Sequence, residues 1–183
     1  MTGRIVVLNG PSSAGKTTVG AALQGLLGPE CVHLPIDLFF QSVSKGRKNN
    51  WQLFELLTEV LFEAARAYAV RGADVVVDTV FERQDCVVHC RRILEGMPLF
   101  LVGLTCDVSI LEARETIRGD RRPGQAAGQA TRVHGFCDYD LSLDTGQDDA
   151  LTCAQQIARL LQARASHADN GYRAADQTVL VDG

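Results

Sequence analysis

The segment Gly10-Pro-Ser-Ser-Ala-Gly-Lys-Thr17 decides the fold, because it fits the pattern G-x-x-x-x-G-K-[ST]. An apolar run (4–9, RIVVLN) precedes it, and an amphipathic stretch (16–27) follows it. A glycine-rich turn between a strand and a helix wraps backbone N–H groups around phosphate oxygens at the positive end of the helix dipole. Lys16 would then bind the β- and γ-phosphates, and the Thr17 hydroxyl would coordinate Mg²⁺. The segment predicts a nucleoside-triphosphate site formed by Gly10, Pro11, Ser12, Ser13, Ala14, Gly15, Lys16, Thr17 and Thr18.

The rest of the chain alternates short apolar runs with amphipathic stretches, which is typical of a three-layer α/β fold with a parallel sheet. We expect one domain over residues 1–164 with a small lid at about 117–130, followed by a polar extension at 165–183. The extension is either loose or adds an edge strand through its short apolar run, Thr178 to Val181. The pattern predicts five strands (4–9, 32–36, 74–79, 99–106 and 141–144) and five helices (16–27, 51–71, 84–95, 108–118 and 149–164).

Composition excludes several classes of protein. The 183 residues carry a net charge of −4, with 46% hydrophobic and 22% charged residues, which disfavours disorder and a broad nucleic-acid surface. No apolar run approaches the roughly 18 residues of a membrane span, and the N-terminus lacks a signal-peptide core. We therefore expect a cytoplasmic protein with no membrane or nucleic-acid partner. The oligomeric state stays open, a homo-oligomer included.

The six cysteines are scattered along the chain, so we expect no disulfide framework in a reducing compartment. Cys86, His89 and Cys90 fall on one side of a predicted helix and could ligate a metal. The chain offers no second ligand pair at zinc-site spacing, which favours the alternative of half-buried helix positions.

Two aspartates follow predicted strands. Asp37 comes after Leu34-Pro-Ile36, and Asp78 comes after Val75-Val-Val77. Ligands of open α/β sheets bind beyond the carboxyl ends of the strands, so both carboxylates should face the phosphate loop. We assign Asp37 as the base for an acceptor hydroxyl and Asp78 as the metal-side or substrate-orienting acid, although the roles could be exchanged. Singly, either residue could merely cap the next helix.

An arginine-rich segment follows the predicted helix 108–118. Its guanidinium groups could clamp the transferred phosphoryl group when a lid closes, and we take Arg114 as a candidate nucleotide contact. The alternative is a solvated helix face on which Glu112 and Glu115 pair with arginines. The arginines cluster around Gly119 and are Arg114, Arg118, Arg121 and Arg122.

Segments spread along most of the first 160 residues carry a family resemblance: IVVLNGPSSAGKT (5–17), the Asp37 position, VVVDTVF (75–81), VGLTCD (102–107), ARETIRGDR (113–121) and VHGFCDYDLSLDT (133–145). Through these segments the chain resembles the chloramphenicol phosphotransferases and their relatives, which are small P-loop kinases. The resemblance implies a P-loop kinase fold, ATP as donor, and transfer to a hydroxyl of an antibiotic-like small molecule. It implies that Asp37 is the catalytic base, that Arg118 and Arg121 are catalytic lid arginines near the transferred phosphate, and that Asp144 and Thr145 lie near the nucleotide base.

The chain departs from this family pattern at about 38–60, where part of the acceptor pocket should lie, and in the tail. The leading function is therefore ATP-dependent phosphorylation of a small hydroxylated molecule, with chloramphenicol or a similar antibiotic as the most concrete acceptor. One alternative acceptor is a metabolite such as a sugar acid, a shikimate-like compound or a nucleoside. An anionic acceptor would call on Lys45, Arg47 and Lys48. Another alternative is a nucleotide-binding module without transfer activity.

Overall fold

A computed structural model describes residues 2–43, 50–118 and 124–176, with side chains described as far as residue 164. Within these ranges helices and strands alternate along most of the chain, as the sequence predicts. The elements are β1 (Ile5–Asn9), α1 (Lys16–Leu27), β2 (Val32–Pro35), α2 (Ile36–Gln41), α3 (Trp51–Val70), β3 (Val75–Thr79), α4 (Gln84–Ile93), β4 (Leu99–Thr105), α5 (Val108–Arg118), α6 (Gln125–Ala130), β5 (Leu141–Asp144) and α7 (Ala150–Asp176).

The strands form one parallel five-stranded sheet in the order β2-β3-β1-β4-β5, which confirms the predicted α/β fold. Its central strand, β1, is buried on both faces, because helices cover both sides of a parallel sheet. Ile5 and Val7 point into a core shared with α3 and α4. Val6 and Leu8 point into a second core shared with α1 and α7. The domain therefore has three layers.

The sheet register brings the ends of three strands to one level. Leu8 of β1 pairs with Asp78 of β3, and Pro35, the last residue of β2, pairs with Asp78 from the other side. The loops that follow these strands consequently open at the same edge of the sheet. The order of strands also reverses beside β1, and ligands of doubly wound sheets bind at such a point.

The predicted place of Asp37 at the end of a strand is wrong in detail. β2 ends at Pro35, and the chain turns directly into α2, so that Asp37 lies in the first turn of a short helix. Pro35 favours this turn because its extended backbone (φ −72°, ψ 137°) suits the residue before a helix, where no N–H is needed. A carboxylate in a first helical turn also interacts favourably with the helix dipole.

The C-terminal helix is longer than predicted, since α7 runs from Ala150 to Asp176 instead of ending at 164. The run Thr178 to Val181 lies outside the described residues. So do Arg121 and Arg122 of the predicted lid and the basic residues of 44–49. The part of the lid that is described contains Arg118 at the end of α5 and the short helix α6.

Cys86 and Cys90 are buried in the core, as the helix-position interpretation predicts. His89 instead places its Nδ1 2.9 Å from Glu59 Oε1. Across the described ranges no three His, Cys, Asp or Glu side chains are grouped as metal ligands would be. None of the helices searched there is both long and apolar enough to cross a bilayer.

Candidate active site

The phosphate loop joins β1 to α1, and its glycines serve two different purposes. Gly15 has φ +80°, a left-handed conformation that side chains disfavour, and it stands immediately before α1. Gly10 lies against β4: a Cβ there would be 2.4 Å from the Leu104 carbonyl oxygen. Ser13 also has a positive φ, of 62°, which is uncommon for a residue with a side chain. The loop is thus held in a strained, tightly packed form at the N-terminus of α1.

Lys16 lies folded beneath this loop. Its side chain is buried, and its Nζ donates a hydrogen bond to the Pro11 carbonyl oxygen at 2.8 Å. The ammonium group therefore sits inside the loop and lines the cleft in front of it. A positive charge in this position is placed to meet the phosphates of a bound nucleotide.

Thr17 and Asp78 meet directly across the cleft. The Thr17 hydroxyl donates to Asp78 Oδ2 at 2.5 Å, and Asp78 is only 3% exposed. The contact links α1 to the end of β3, the two elements that carry the residues predicted to bind the metal. A hydroxyl and a carboxylate oxygen this close are the kind of hard oxygen ligands that Mg²⁺ takes.

One cleft collects the predicted catalytic side chains that the structure describes, together with Thr17. It is lined by Lys16, Thr17, Asp37, Asp78 and Arg118. The residues come from α1, α2, the end of β3 and the end of α5, so four segments distant in sequence converge here. An adjoining opening shares three of these residues and is also lined by Thr18, Pro35, Leu38 and Gln41.

Arg114 and Thr145 form a contact behind the phosphate loop. The Arg114 guanidinium donates to the Thr145 carbonyl oxygen at 2.8 Å and reaches the Ser13 carbonyl oxygen at 3.4 Å. The Thr145 hydroxyl in turn donates to the Ala14 carbonyl oxygen at 2.9 Å. Asp144, the residue before Thr145, accepts a hydrogen bond from the Gly146 amide at 2.8 Å. The three predicted nucleotide residues therefore lie together, and two of them also support the loop.

Asn9 is a supporting residue that sequence reasoning missed. Its Oδ1 accepts from the Phe81 amide at 2.7 Å, and its Nδ2 donates to the Val133 carbonyl oxygen at 2.9 Å and to the Tyr139 hydroxyl at 2.5 Å. It is fully buried directly before Gly10. The only signal in the sequence was an amide residue at the end of an apolar strand, which needs partners when buried.

Glu115 does not lie on a solvated helix face, as one alternative in the sequence analysis proposed. Its carboxylate is buried and accepts from the Gly124 amide at 2.7 Å and the Ala126 amide at 3.0 Å. It therefore anchors the start of α6 to α5, where the sequence suggested a surface pair with an arginine. The preceding Arg114 is used at the loop, as described above.

Two histidines lie near the cleft, although the sequence indicated no chemistry for them. Burial lowers the pKa of His33, and the charge of Asp78 opposes that shift only in part. Burial, and secondly the positive charge of Lys16, lower the pKa of His134. Both rings are therefore more neutral at pH 7 than an exposed histidine.

A family model described as "Chloramphenicol phosphotransferase-like protein" matches residues 3–162. Two proteins of Mycobacterium tuberculosis, from strains CDC 1551 and H37Rv, are each called "Putative O-phosphotransferase" and are 28% identical over 187 residues. The alignments cover 88% of this chain and 83% of each relative.

Solved structures show the same fold. An APS kinase of Mycobacterium tuberculosis, in complex with AMPPNP and APS, superposes with a TM-score of 0.75 at 19% identity, covering 88% of this chain and 98% of that one. A shikimate kinase of Acinetobacter baumannii, in complex with shikimate, gives 0.60 at 21% identity, with 89% and 95% covered. The family match spans nearly all of the described domain. The chain therefore belongs to the chloramphenicol phosphotransferase-like family and is an O-phosphotransferase of the kinase type.

Proposed function

We propose that this protein transfers the γ-phosphoryl group of ATP, bound with Mg²⁺, to a hydroxyl of a small molecule, with chloramphenicol or a similar antibiotic as the leading acceptor. The observation that carries the proposal is the convergence of Lys16, Thr17, Asp37, Asp78 and Arg118 on one cleft. Phosphoryl transfer asks little covalent chemistry of a protein and much positioning and charge stabilisation, and these side chains are suited to both tasks.

The donor side is supported by the loop geometry. The loop leads into the N-terminus of α1, an end of a helix that favours anions, and Lys16 adds a full positive charge. Arg118 lines the same cleft from the end of α5 and can share the charge that spreads over the moving phosphoryl group. These residues bind and orient the triphosphate for attack from the opposite side of the cleft.

The Thr17 hydroxyl and the Asp78 carboxylate fit Mg²⁺, since they offer two hard oxygens 2.5 Å apart beside the phosphate loop. They would hold the ion together with phosphate oxygens and water, as magnesium sites in such enzymes need few protein ligands. Bound there, Mg²⁺ would supply positive charge to offset the negative charge of the β- and γ-phosphate oxygens. This role for Asp78 leaves Asp37 for the acceptor.

The assignment of Asp37 as the proton acceptor is supported by its position, since it lines both the cleft and the adjoining opening. In the proposed step the acceptor oxygen forms a bond to the γ-phosphorus while the bond from that phosphorus to the oxygen bridging it to the β-phosphorus breaks. The hydroxyl proton passes to an Asp37 carboxylate oxygen, and ADP leaves.

The test is an ADP-release assay with Mg-ATP over a panel of hydroxylated compounds that includes chloramphenicol, sugar acids, shikimate and nucleosides. Mass spectrometry should find a phosphate-sized gain on the accepted compound. Asp37→Asn should lower turnover by about 10²–10⁴-fold while the ATP affinity stays nearly unchanged, since a general base contributes about that factor.

Asp85→Asn is the matched control, because Asp85 also lies in the first turn of a helix but is exposed on α4, away from the cleft. The turnover of Asp85→Asn should equal that of the wild type. If only a metabolite in the panel were phosphorylated, that metabolite would replace the antibiotic as the proposed acceptor. ATP binding without transfer to any compound, or full turnover by Asp37→Asn, would contradict the proposed chemistry.

A further inference from the structure

Gln129 binds a backbone N–H group of the phosphate loop, a group that the sequence analysis predicted would bind the nucleotide. It lies on α6, is only 3% exposed, and lines the cleft. Its Oε1 accepts the Ser12 amide at 2.6 Å. One N–H of the phosphate loop is therefore bound to a side chain from the lid region, 117 residues further along the chain.

The other end of the same side chain is also engaged. Gln129 Nε2 donates to the Glu82 carboxylate, whose second oxygen accepts from Arg132 at 2.8 Å. The contacts determine the orientation of the amide, because the reverse orientation would set two donors against each other at Ser12. The phosphate loop, the segment after β3 and α6 are thus joined through one carboxamide.

The helix that carries Gln129 is itself anchored. Glu115 of α5 accepts two amides at the start of α6. Since α5 ends at Arg118, Glu115 and Gln129 connect the helix that carries Arg118 to the phosphate loop through α6, in addition to the direct contact of Arg114 with Ser13. A glutamine suits this place because it offers an acceptor to Ser12 and a donor to Glu82. A glutamate would set a second negative charge against Glu82 and near the phosphates.

We infer that Gln129 is a positioning residue for phosphoryl transfer: through Ser12 and Glu82 it holds the phosphate loop in register with the segments that carry Asp78 and Arg118. The inference rests on the proposed function. It places Gln129 outside the group of residues that touch the reacting atoms. Its removal should therefore affect turnover more than nucleotide affinity.

The experiment compares Gln129→Ala and Gln129→Glu with the double variant Gln129→Glu/Glu82→Gln. Turnover of Gln129→Ala should fall by about 100-fold, the effect of a misplacement near 1 Å. The Kd for Mg-AMPPNP should rise by no more than about fivefold, because the other loop amides and Lys16 remain. Amide hydrogen exchange at Ser12 should accelerate by about tenfold, which reports the lost bond without any acceptor.

Gln129→Glu keeps an acceptor for the Ser12 amide but sets its charge against the Glu82 carboxylate. The added change Glu82→Gln replaces that carboxylate by an amide that can donate, so the double variant should show slow exchange at Ser12 and regain about tenfold of the turnover lost in Gln129→Glu. Gln156→Ala is the matched control. It loses one glutamine hydrogen bond, to Asp148, on the far helix α7, and should leave turnover and Ser12 exchange unchanged.

Wild-type turnover in Gln129→Ala would overturn the inference, as would a double variant that recovers neither exchange protection nor turnover. A loss of turnover that merely follows a lower melting temperature would do the same, since a structural role moves both together. Failure of the wild-type protein to transfer phosphate would instead contradict the proposed function, and Ser12 exchange separates the two cases.

Discussion

Gly10→Ala tests most directly why the phosphate loop has its sequence. The added Cβ would lie 2.4 Å from the Leu104 carbonyl oxygen and 3.4 Å from the carbon atom of that carbonyl. Carbon and oxygen approach to about 3.3–3.6 Å even in favourable C–H···O contacts, so the two groups must separate by about 1 Å. Leu104 is buried in β4, which is paired with β1 and β5, so its carbonyl cannot retreat. The loop itself has to move.

A displacement of about 1 Å at a binding loop lowers turnover by about 100-fold, and overpacking of this kind costs about 1–3 kcal/mol of folding free energy. Gly15→Ala should damage the loop for a different reason. Nothing lies within 4 Å of its added Cβ, but the φ of +80° imposes about 1–2 kcal/mol of backbone strain.

Urea denaturation measures the loss of folding free energy, the ADP-release assay measures the loss of turnover, and calorimetric titration with Mg-AMPPNP measures the nucleotide affinity. Gly25→Ala is the control: it lies on the exposed face of α1 with open space around the new Cβ, and should gain about 0.5–1 kcal/mol from helix propensity. If Gly10→Ala bound Mg-AMPPNP and unfolded as the wild type does, close packing of the loop against β4 would not be the reason for this glycine.

Three further variants test other contacts. Gly20→Ala sets a Cβ 2.4 Å from His33 Nε2 and should lose about 1–3 kcal/mol in urea denaturation, most of it regained when His33→Ala is added. Asp74→Asn should lose about 1–2 kcal/mol at pH 7, because Asp74 accepts the Arg4 amide at 2.8 Å and pairs with its guanidinium. Burial acts to raise the pKa of Asp74, but the hydrogen bonds from Arg4 outweigh burial and lower the pKa. The stability that Asp74 contributes is therefore present above the unfolded pKa of about 4, and it is lost as the pH falls through the lower folded pKa. Wild type and Asp74→Asn should thus converge in acid; a constant difference would contradict the assignment. Lys16→Ala should raise the Kd for Mg-AMPPNP about 10–100-fold and lower turnover as well, and unchanged affinity would refute its role.

The strand, turn and helix of the phosphate loop could be predicted from the sequence because their signals are local. The motif from Gly10 to Thr17 combines a strand, a turn and a helix within a few residues, and each part has its own composition. Asp78 follows a run of three buried valines, so its place at a strand end could be read directly. The assignment of Asp37 to the cleft needed only the rule that parallel strands end at one edge.

What could not be predicted depends on contacts between distant segments. The helix that carries Asp37 has six residues, too few to show a helical period, so a strand end was the natural expectation. Asn9 binds Phe81 across 72 residues, and Gln129 binds Ser12 across 117. No sequence pattern around either residue predicts its hydrogen-bond partner. The partners become clear only in the folded chain, where each buried backbone amide must find an acceptor.

The two sides of the cleft are built with different rigidity, and this bears on how the acceptor is chosen. The donor side rests on β1, β3 and β4, whose residues are buried, and on side chains that bind backbone groups of the loop. Asp37 instead belongs to a short helix whose neighbour Leu38 is 51% exposed at the adjoining opening. Under the proposed function, substitutions at the exposed Leu38 should cost less folding free energy than substitutions of buried residues beneath the loop. We therefore expect acceptor specificity to diverge within the family on the face around Leu38 while the phosphate loop is retained.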